Sequence, residues 1–451
     1  MGLPWFALVA FFLLAPALAR ADGLAPLEEL GRRLLFDAGL STPPGQSCAT
    51  CHDPAVGWTG PDSEQNYDTA VYPGAVAERF GNRKPPSAAY LGFTPILHRC
   101  GGGDGTCGGG MGGGGMGGGG MGGGGMMSPG DVVGGLFWDG RATGWTLGDP
   151  LAEQAMGPFL NPLEQNAPNA RYVCLRVRAA DYAGLFEEVW GAGSLDCVKD
   201  VDGTYERIAR SIAAYERSAE VNPFSSRFDR FWDASRGRMP AVWAINGMNW
   251  TRFRGRGLTD LELQGLAVFN TKGNCSVCHP LRPMAGSEYP LFTDFRYHNL
   301  GMPKNPRNPF YELPRVWNPD GAGWIDLGLG GFLETVDDPE LRALAAESYG
   351  KHKTPTLRNL EKRPSPEFVK AYGHNGWFKS VAAVVHFYNL RDALPGCDAA
   401  GVPAVDCWPA PEVAENVDRV NLGNLGLTPP EGMALLAFLK TLDDEEPLAS
   451  E

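Results

Sequence analysis

The chain has 451 residues, 43% of them hydrophobic and 20% charged, which excludes wholesale disorder and allows two or three domains with buried cores. Its formal charge of −13, from 39 basic and 52 acidic side chains, argues against a surface for nucleic acid. Ten Cys against seven His is the informative count.

Residues 1–21 read as an export signal. The apolar run Leu3 to Leu18 is too short for a membrane span, and Ala17-Leu18-Ala19 or Ala19-Arg20-Ala21 supplies the cleavage box. Its only positive charge before the apolar run is the terminal amine. No later stretch reaches about 18 apolar residues, so no membrane span is expected in the mature protein.

Leu30 to Asp37 has a helical pattern and leads to Cys48-Ala49-Thr50-Cys51-His52. C-x-x-C-H is the attachment pattern for c-type haem. Two thiols one helical turn apart can form thioethers to two vinyl groups, and the adjacent His then lies under the ring as iron ligand. A zinc knuckle would need further ligands nearby, and a redox dithiol would not need the His.

Residues 101–130 form a low-complexity insert in which Met111, Met116, Met121 and Met126 are separated by runs of four Gly. With Met127 these thioethers could bind soft metal, but flexible Gly does not preorganise ligands, so the insert reads as a surface loop. Residues 205–220 follow helical periodicity, and an aromatic segment runs from Phe224 to Trp232. A domain boundary is expected near 225–255. The capping box Thr259-x-x-Glu262 opens a helix that leads to the second motif, Cys275-Ser276-Val277-Cys278-His279. Residues 303–330 read as loop. Thr428-Pro429-Pro430-Glu431 opens the last helix, with Met433, Leu436 and Leu439 on one face.

The remaining six Cys fall into local pairs: Cys100 with Cys107, Cys174 with Cys197, and Cys397 with Cys407. In an exported protein disulfides are the default. No strong alternating strand pattern occurs. The expected fold is mainly α, with two tandem cytochrome c-like haem domains and long loops. The domains are residues 22–235, carrying the insert, and 236–451, after the signal at 1–21.

At this level of detail the sequence resembles the bacterial di-haem cytochrome c peroxidase family, which includes MauG-type enzymes. The resemblance rests on Leu34-Leu35-Phe36-Asp37, Phe137-Trp138-Asp139-Gly140-Arg141-Ala142 and the stretch Glu153-Gln154-Ala155 to Asn161-Pro162-x-Glu164. It continues in Leu258-Thr259 to Phe269, Pro355-Thr356-Leu357-Arg358-Asn359 and Tyr372-Gly373-His374-Asn375-Gly376. The resemblance implies two covalent haems with His52 and His279 as proximal ligands. It makes the first haem peroxidatic and the second an electron-transfer haem. Glu164 matches the distal acid–base carboxylate, Gln154 the distal amide and Trp138 the tryptophan between the haems. The second haem's distal ligand lies 14 residues after the His of the His-x-Gly motif, which from His374 reaches Tyr388. Tyr there is the MauG-type pattern; peroxidases have Met.

Four departures matter. The position where peroxidases carry a His that blocks the first iron is Asp68, and no His occurs between His52 and His98. An open first haem is therefore expected. Lys84 replaces the Asn that helps hold an interhaem Ca²⁺, and an ammonium cannot ligate calcium, so that ion is in doubt. Trp138 and Gln154 are 16 residues apart, six more than in the typical peroxidase. The Gly–Met insert is not a general family feature.

Plainer roles remain open: a loop carboxylate for Glu164, core packing for Trp138, and a buried non-ligand Tyr388 with Met302 or His298 as the ligand instead. His374 reads as structural rather than as an iron ligand, and His386 faces elsewhere on the helix of Tyr388. His98 and His352 carry no signal. Glu164 in a partly dry pocket should have a raised pKa suited to moving a proton, and Gln154 would orient peroxide. The expected protein is an exported oxidoreductase, periplasmic or secreted to the cell surface, that activates H₂O₂ at an open N-terminal haem and oxidises a partner protein. The alternatives are a conventional peroxidase taking electrons from a small cytochrome c or copper protein, and a non-catalytic di-haem electron carrier. The carrier is disfavoured because electron transfer needs no acid–base pair.

Overall fold

A computed structural model describes residues 23–100, 130–398 and 401–445. The export signal, Cys107 and all but the last residue of the Gly–Met insert lie outside the described residues.

Twelve α-helices are described: α1 (Pro26–Phe36), α2 (Ser63–Asp68), α3 (Pro150–Leu160), α4 (Ala170–Ala179), α5 (Ala183–Trp190) and α6 (Val201–Glu216), then α7 (Arg227–Ser235), α8 (Asp260–Asn270), α9 (Gly328–Leu333), α10 (Pro339–Arg342), α11 (Val381–Leu390) and α12 (Pro429–Leu439). The described strands are four two-residue pieces in two antiparallel ladders. β1 (His98–Arg99) pairs with β2 (Val132–Val133), and β3 (Tyr297–His298) pairs with β4 (His352–Lys353), setting His298 opposite His352. The mainly α architecture expected from the sequence is the one observed.

One packing plan occurs twice. In α1 the residues Leu30, Gly31, Leu34 and Leu35 are buried, one stripe at helical spacing. Gly31 meets α6 so closely that a Cβ there would lie 1.9 Å from the Ser211 carbonyl oxygen. In the second half α8 crosses α12 in the same way, and a Cβ at Gly265 would lie 1.9 Å from the Ala434 carbonyl oxygen. Each glycine lets a helix that precedes a C-x-x-C-H motif touch a later helix backbone to backbone. The capping box at Thr259 forms as read: the Glu262 carboxylate accepts from the Thr259 N–H at 2.8 Å.

Two apolar cores follow. The first gathers α1, α3, α4, α5 and α6 around Leu30, Phe159, Val173, Phe186 and Ile208. The second gathers α7, α8 and α12 around Phe228, Phe231, Leu266, Phe269 and Phe438. The last helix corrects the sequence reading. Met433 is exposed, and the buried face is Ala434, Leu435, Phe438 and Leu439. The hydrophobic positions of α12 run nearly all round, so spacing did not single out the packed side; only the position of α8 did.

Disulfides join Cys174 to Cys197 and Cys397 to Cys407. Cys100 is disulfide-bonded as well. A fully buried ion pair ties α7 to the loop after β4: Arg358 donates Nη1–H and Nη2–H to the Asp229 carboxylate at 3.0 and 2.8 Å, and Nε–H to the Pro290 carbonyl at 2.9 Å.

Candidate haem centres

Both C-x-x-C-H motifs fold into a short 3₁₀ turn, Cys48–Thr50 and Cys275–Val277, closed by the His N–H on the first Cys carbonyl at 3.0 and 2.9 Å. Cys48, Cys51, Cys275 and Cys278 are free thiols, whereas Cys174, Cys197, Cys397 and Cys407 are paired as disulfides. His52 Nδ1–H donates to the Trp58 carbonyl at 3.2 Å, and His279 Nδ1–H to the Phe292 carbonyl at 2.7 Å. A carbonyl can only accept, so Nδ1 carries the proton and Nε2 keeps its lone pair. Burial lowers the pKa of His52 to about 4 and holds that of His279 below its ordinary value, so both rings are neutral. Two free thiols plus one oriented neutral imidazole is the donor set a covalent haem requires, and it occurs twice.

The second centre opens onto a cavity walled by Cys275, Cys278, His279, Tyr388 and mostly apolar side chains. Buried in its wall, His352 Nε2 lies 3.3 Å from Asp326 Oδ1 and His374 Nε2 lies 3.9 Å from Glu412 Oε2. Two free thiols and an oriented neutral imidazole in the wall of a mostly apolar cavity suit a haem, whose macrocycle is apolar. The residues therefore fit the group.

All three residues considered as second ligand of that centre, Tyr388, Met302 and His298, line this cavity. They differ in what else they do. His298 donates Nε2–H to Asp294 Oδ2 at 3.1 Å. Burial opposes its charge, but that carboxylate raises its pKa. The Met302 side chain packs on Gly373, where a Cβ would lie 2.7 Å from its Sδ. The Tyr388 hydroxyl makes no hydrogen bond among the described residues. It shares its face of α11 with Val381, Val384 and Val385, also in the wall, and burial raises its pKa above the ordinary range. His386, on the same helix, is not in the wall and lies 5.6 Å from the Trp408 ring.

Trp138, only 8% exposed, also lines this cavity. Its Nε1–H donates to the Lys84 carbonyl at 2.8 Å, and its carbonyl accepts from the Lys353 N–H at 2.9 Å. It meets His374 edge-on at 6.5 Å, and His374 stacks on His352 at 3.5 Å with nearly parallel planes. His352 Nε2 lies 3.3 Å from Asp326 Oδ1, and Asp326 is held by Arg83 through two contacts of 2.6 Å. His352 and Asp326 were not singled out from the sequence. They lie 26 residues apart in the chain, in no motif, and only folding brings them beside Trp138. The buried Lys84 ammonium donates to Thr59 Oγ1 at 2.8 Å and to the Pro85 carbonyl at 2.7 Å, and its side chain has no oxygen to offer a calcium ion.

Near the first motif, Glu164 follows α3 in a turn where its Oε1 accepts from Asn161 Nδ2 at 2.9 Å. Burial raises its pKa, and the Arg141 cation and Asn161 restrain the rise. The Glu164 charge is felt by both Cys48 and Cys51, which places the carboxylate beside this motif. Gln154 is half-buried on α3 and makes no hydrogen bond among the described residues. Its neighbour Glu153 is structural, accepting from the N–H groups of Gly144, Thr146 and Leu147 at 2.6–2.9 Å. Asp68, where a blocking His was sought, is exposed at the end of α2. A carboxyl missed from sequence is Glu216 on α6: it is buried, affects Cys48, and burial pushes its pKa to about 8.

Comparison with known proteins agrees with this geometry. Residues 25–237 match the model of the di-haem cytochrome c peroxidase family. The methylamine utilization protein MauG of Paracoccus denitrificans is 33% identical, over 97% of this chain and 95% of its own length. The chain belongs to the di-haem cytochrome c peroxidase family. A cytochrome-c peroxidase of Denitromonas iodatirespirans is 24% identical over 93% of this chain and 82% of its own. The crystal structure of the diheme peroxidase BthA from Burkholderia thailandensis superimposes with a TM-score of 0.64 at 26% identity, covering 93% of this chain and 86% of that one. The family carries two c-type haems and its members are oxidoreductases acting on H₂O₂, so the chain is a haem peroxidase-type enzyme. Among the described residues no helix is long and apolar enough to cross a membrane.

Proposed function

We propose that this protein is a MauG-like periplasmic enzyme that uses H₂O₂ to oxidise a partner protein. In this reading residues 22–235 hold the peroxidatic centre and 236–451 the electron-transfer centre. Bound haem would supply redox-active iron at each. The observation that carries the reading is the Tyr388 hydroxyl, without a hydrogen-bond partner, in the wall of the cavity that His279 lines. A phenolate is a harder ligand than a thioether and lowers the potential of a haem, so that centre yields an electron more easily.

The chain's own groups divide the work. His52 and His279 present neutral Nε2 lone pairs, oriented by the Trp58 and Phe292 carbonyls. Glu164 takes a proton from the peroxide oxygen nearer the first centre and returns it to the leaving oxygen, which departs as water. Burial raises its pKa, which makes the carboxylate a better proton acceptor than an exposed one. Gln154 would orient the peroxide by its amide. Trp138 bridges the centres through Lys84 on one side and His374 on the other, a stepping point for electrons. The absence of any His between His52 and His98 supports an open first centre.

Met302 supports a second reading. Its thioether lines the same cavity, and as the ligand it would make the protein a conventional peroxidase fed by a small electron carrier. Mixing the diferric holoprotein with one equivalent of H₂O₂ and no donor separates the two. Under the first reading the optical change persists for minutes, and Glu164→Gln slows its onset by about 10²- to 10⁴-fold with both haems retained. Rapid turnover with reduced cytochrome c, gained only after partial reduction, favours the second. An unchanged rate in Glu164→Gln removes the role given to Glu164.

A further inference from the structure

In a chain of charge −13, residues 236–257 contain five Arg and no Asp, Glu or Lys. The segment is irregular, with short 3₁₀ turns at Val242–Ala244 and Trp250–Phe253. It is nonetheless anchored. Asn270 Nδ2 donates to both the Val242 and Ile245 carbonyls at 3.1 Å, Val242, Ile245 and Phe253 are buried, and Trp243 lies 6.1 Å from Trp232. Asn270 is the last residue of α8, five positions before Cys275, so the segment sits beside the second haem motif.

Its outward side is unusual. Met248 and Met239 are 92% and 85% exposed. Arg238 and Arg252 are exposed, with no ion pair among the described residues. Arg254 lies over Trp250 at 5.0 Å, and Arg282, three residues after His279, lies over Trp243 at 5.4 Å. Arg, Trp and Met are the residues enriched in protein interfaces, and Lys, Glu and Asp are depleted there. Exposed thioethers gain nothing from water, and uncompensated guanidinium groups favour carboxylates.

We infer that the Arg238–Arg252 face, with Met239, Met248, Trp243 and Trp250, docks a protein partner that presents carboxylates around an apolar centre. A protein fits better than a membrane or nucleic acid, because the charge of the rest of the chain repels extended polyanions. The docking site deepens the proposed function, in which a partner protein exchanges electrons with the second centre, but it is tested by binding alone.

The probes are plastocyanin, a small acidic copper protein, cytochrome c, a small basic haem protein, and vesicles of phosphatidylglycerol, each titrated onto the holoprotein by calorimetry at low and physiological salt. The expected result is binding of plastocyanin that weakens with salt, falls on the order of tenfold in Arg238→Glu/Arg252→Glu, and falls also in Met239→Ser/Met248→Ser at unchanged charge. Equal affinity of the charge-reversed protein, no plastocyanin binding at low salt, or preference for cytochrome c or for the vesicles would overturn the inference. A holoprotein inert to peroxide that still binds plastocyanin in this way would refute the proposed function and leave the docking surface standing.

Discussion

Gly265→Ala is the sharpest test of how the second haem motif is positioned. A Cβ at 265 would lie 1.9 Å from the Ala434 carbonyl oxygen, 2.6 Å from its carbon and 2.8 Å from the Phe438 Cβ. Ordinary contact begins near 3.4 Å, so α8 and α12 must separate by about 1.5 Å. The obstacle is backbone, so no rotamer relieves it. Overpacking of this kind costs about 3 kcal/mol, and the better helix propensity of Ala returns about 1 kcal/mol. A net loss of about 2 kcal/mol lowers Tm by about 4–8 °C in a unit of this size. Gly432→Ala on α12, where a Cβ meets nothing within 4 Å, is the control and should stabilise by about 0.5–1 kcal/mol. Thermal melts of both holoproteins, followed by far-ultraviolet dichroism and by the Soret band, read the pair. A Gly265→Ala protein as stable as the parent would mean that the helix crossing is not the tight backbone contact described.

Other perturbations address the chemistry and the core. Burial raises the Glu164 pKa above its ordinary 4.5, so the base form is lost as pH falls through a value higher than that, and the acidic limb of the peroxide reaction should lie above pH 4.5. Arg141 favours the carboxylate, so Arg141→Gln should move the limb to still higher pH; a shift downward contradicts the assignment. Tyr388→Phe should alter the absorption and electron paramagnetic resonance of the second haem while Met302→Leu leaves both unchanged, and the opposite pattern makes Met302 the ligand. Arg358→Met strands the Asp229 carboxylate in the second core and should cost about 3–5 kcal/mol, read from urea midpoints at neutral pH. A loss under 1 kcal/mol would show that water reaches Asp229.

The attachment motif was legible because C-x-x-C-H is local: five consecutive residues carry both thiols and the imidazole, and one short turn suffices to present them. Capping boxes were legible for the same reason, since Thr259 and Glu262 satisfy one another within a single turn. The buried face of α12 was not. Its apolar residues surround the helix, and Met433 is an apolar side chain like Leu435, so the approach of α8 decides which one is covered.

The site divides along the same line. The sequence by itself determined the two C-x-x-C-H motifs, the two histidines proposed to stand beneath the haems, and the family to which those motifs belong. Tertiary structure alone decided that Tyr388, Met302 and His298 share one cavity, that His352 stacks on His374 beside Trp138, and that Arg83 holds Asp326 there. These groups come from segments far apart in the chain; 243 residues separate Arg83 from Asp326. Nothing in their local spacing encodes the meeting, because what joins them is burial against surfaces supplied by the rest of the fold.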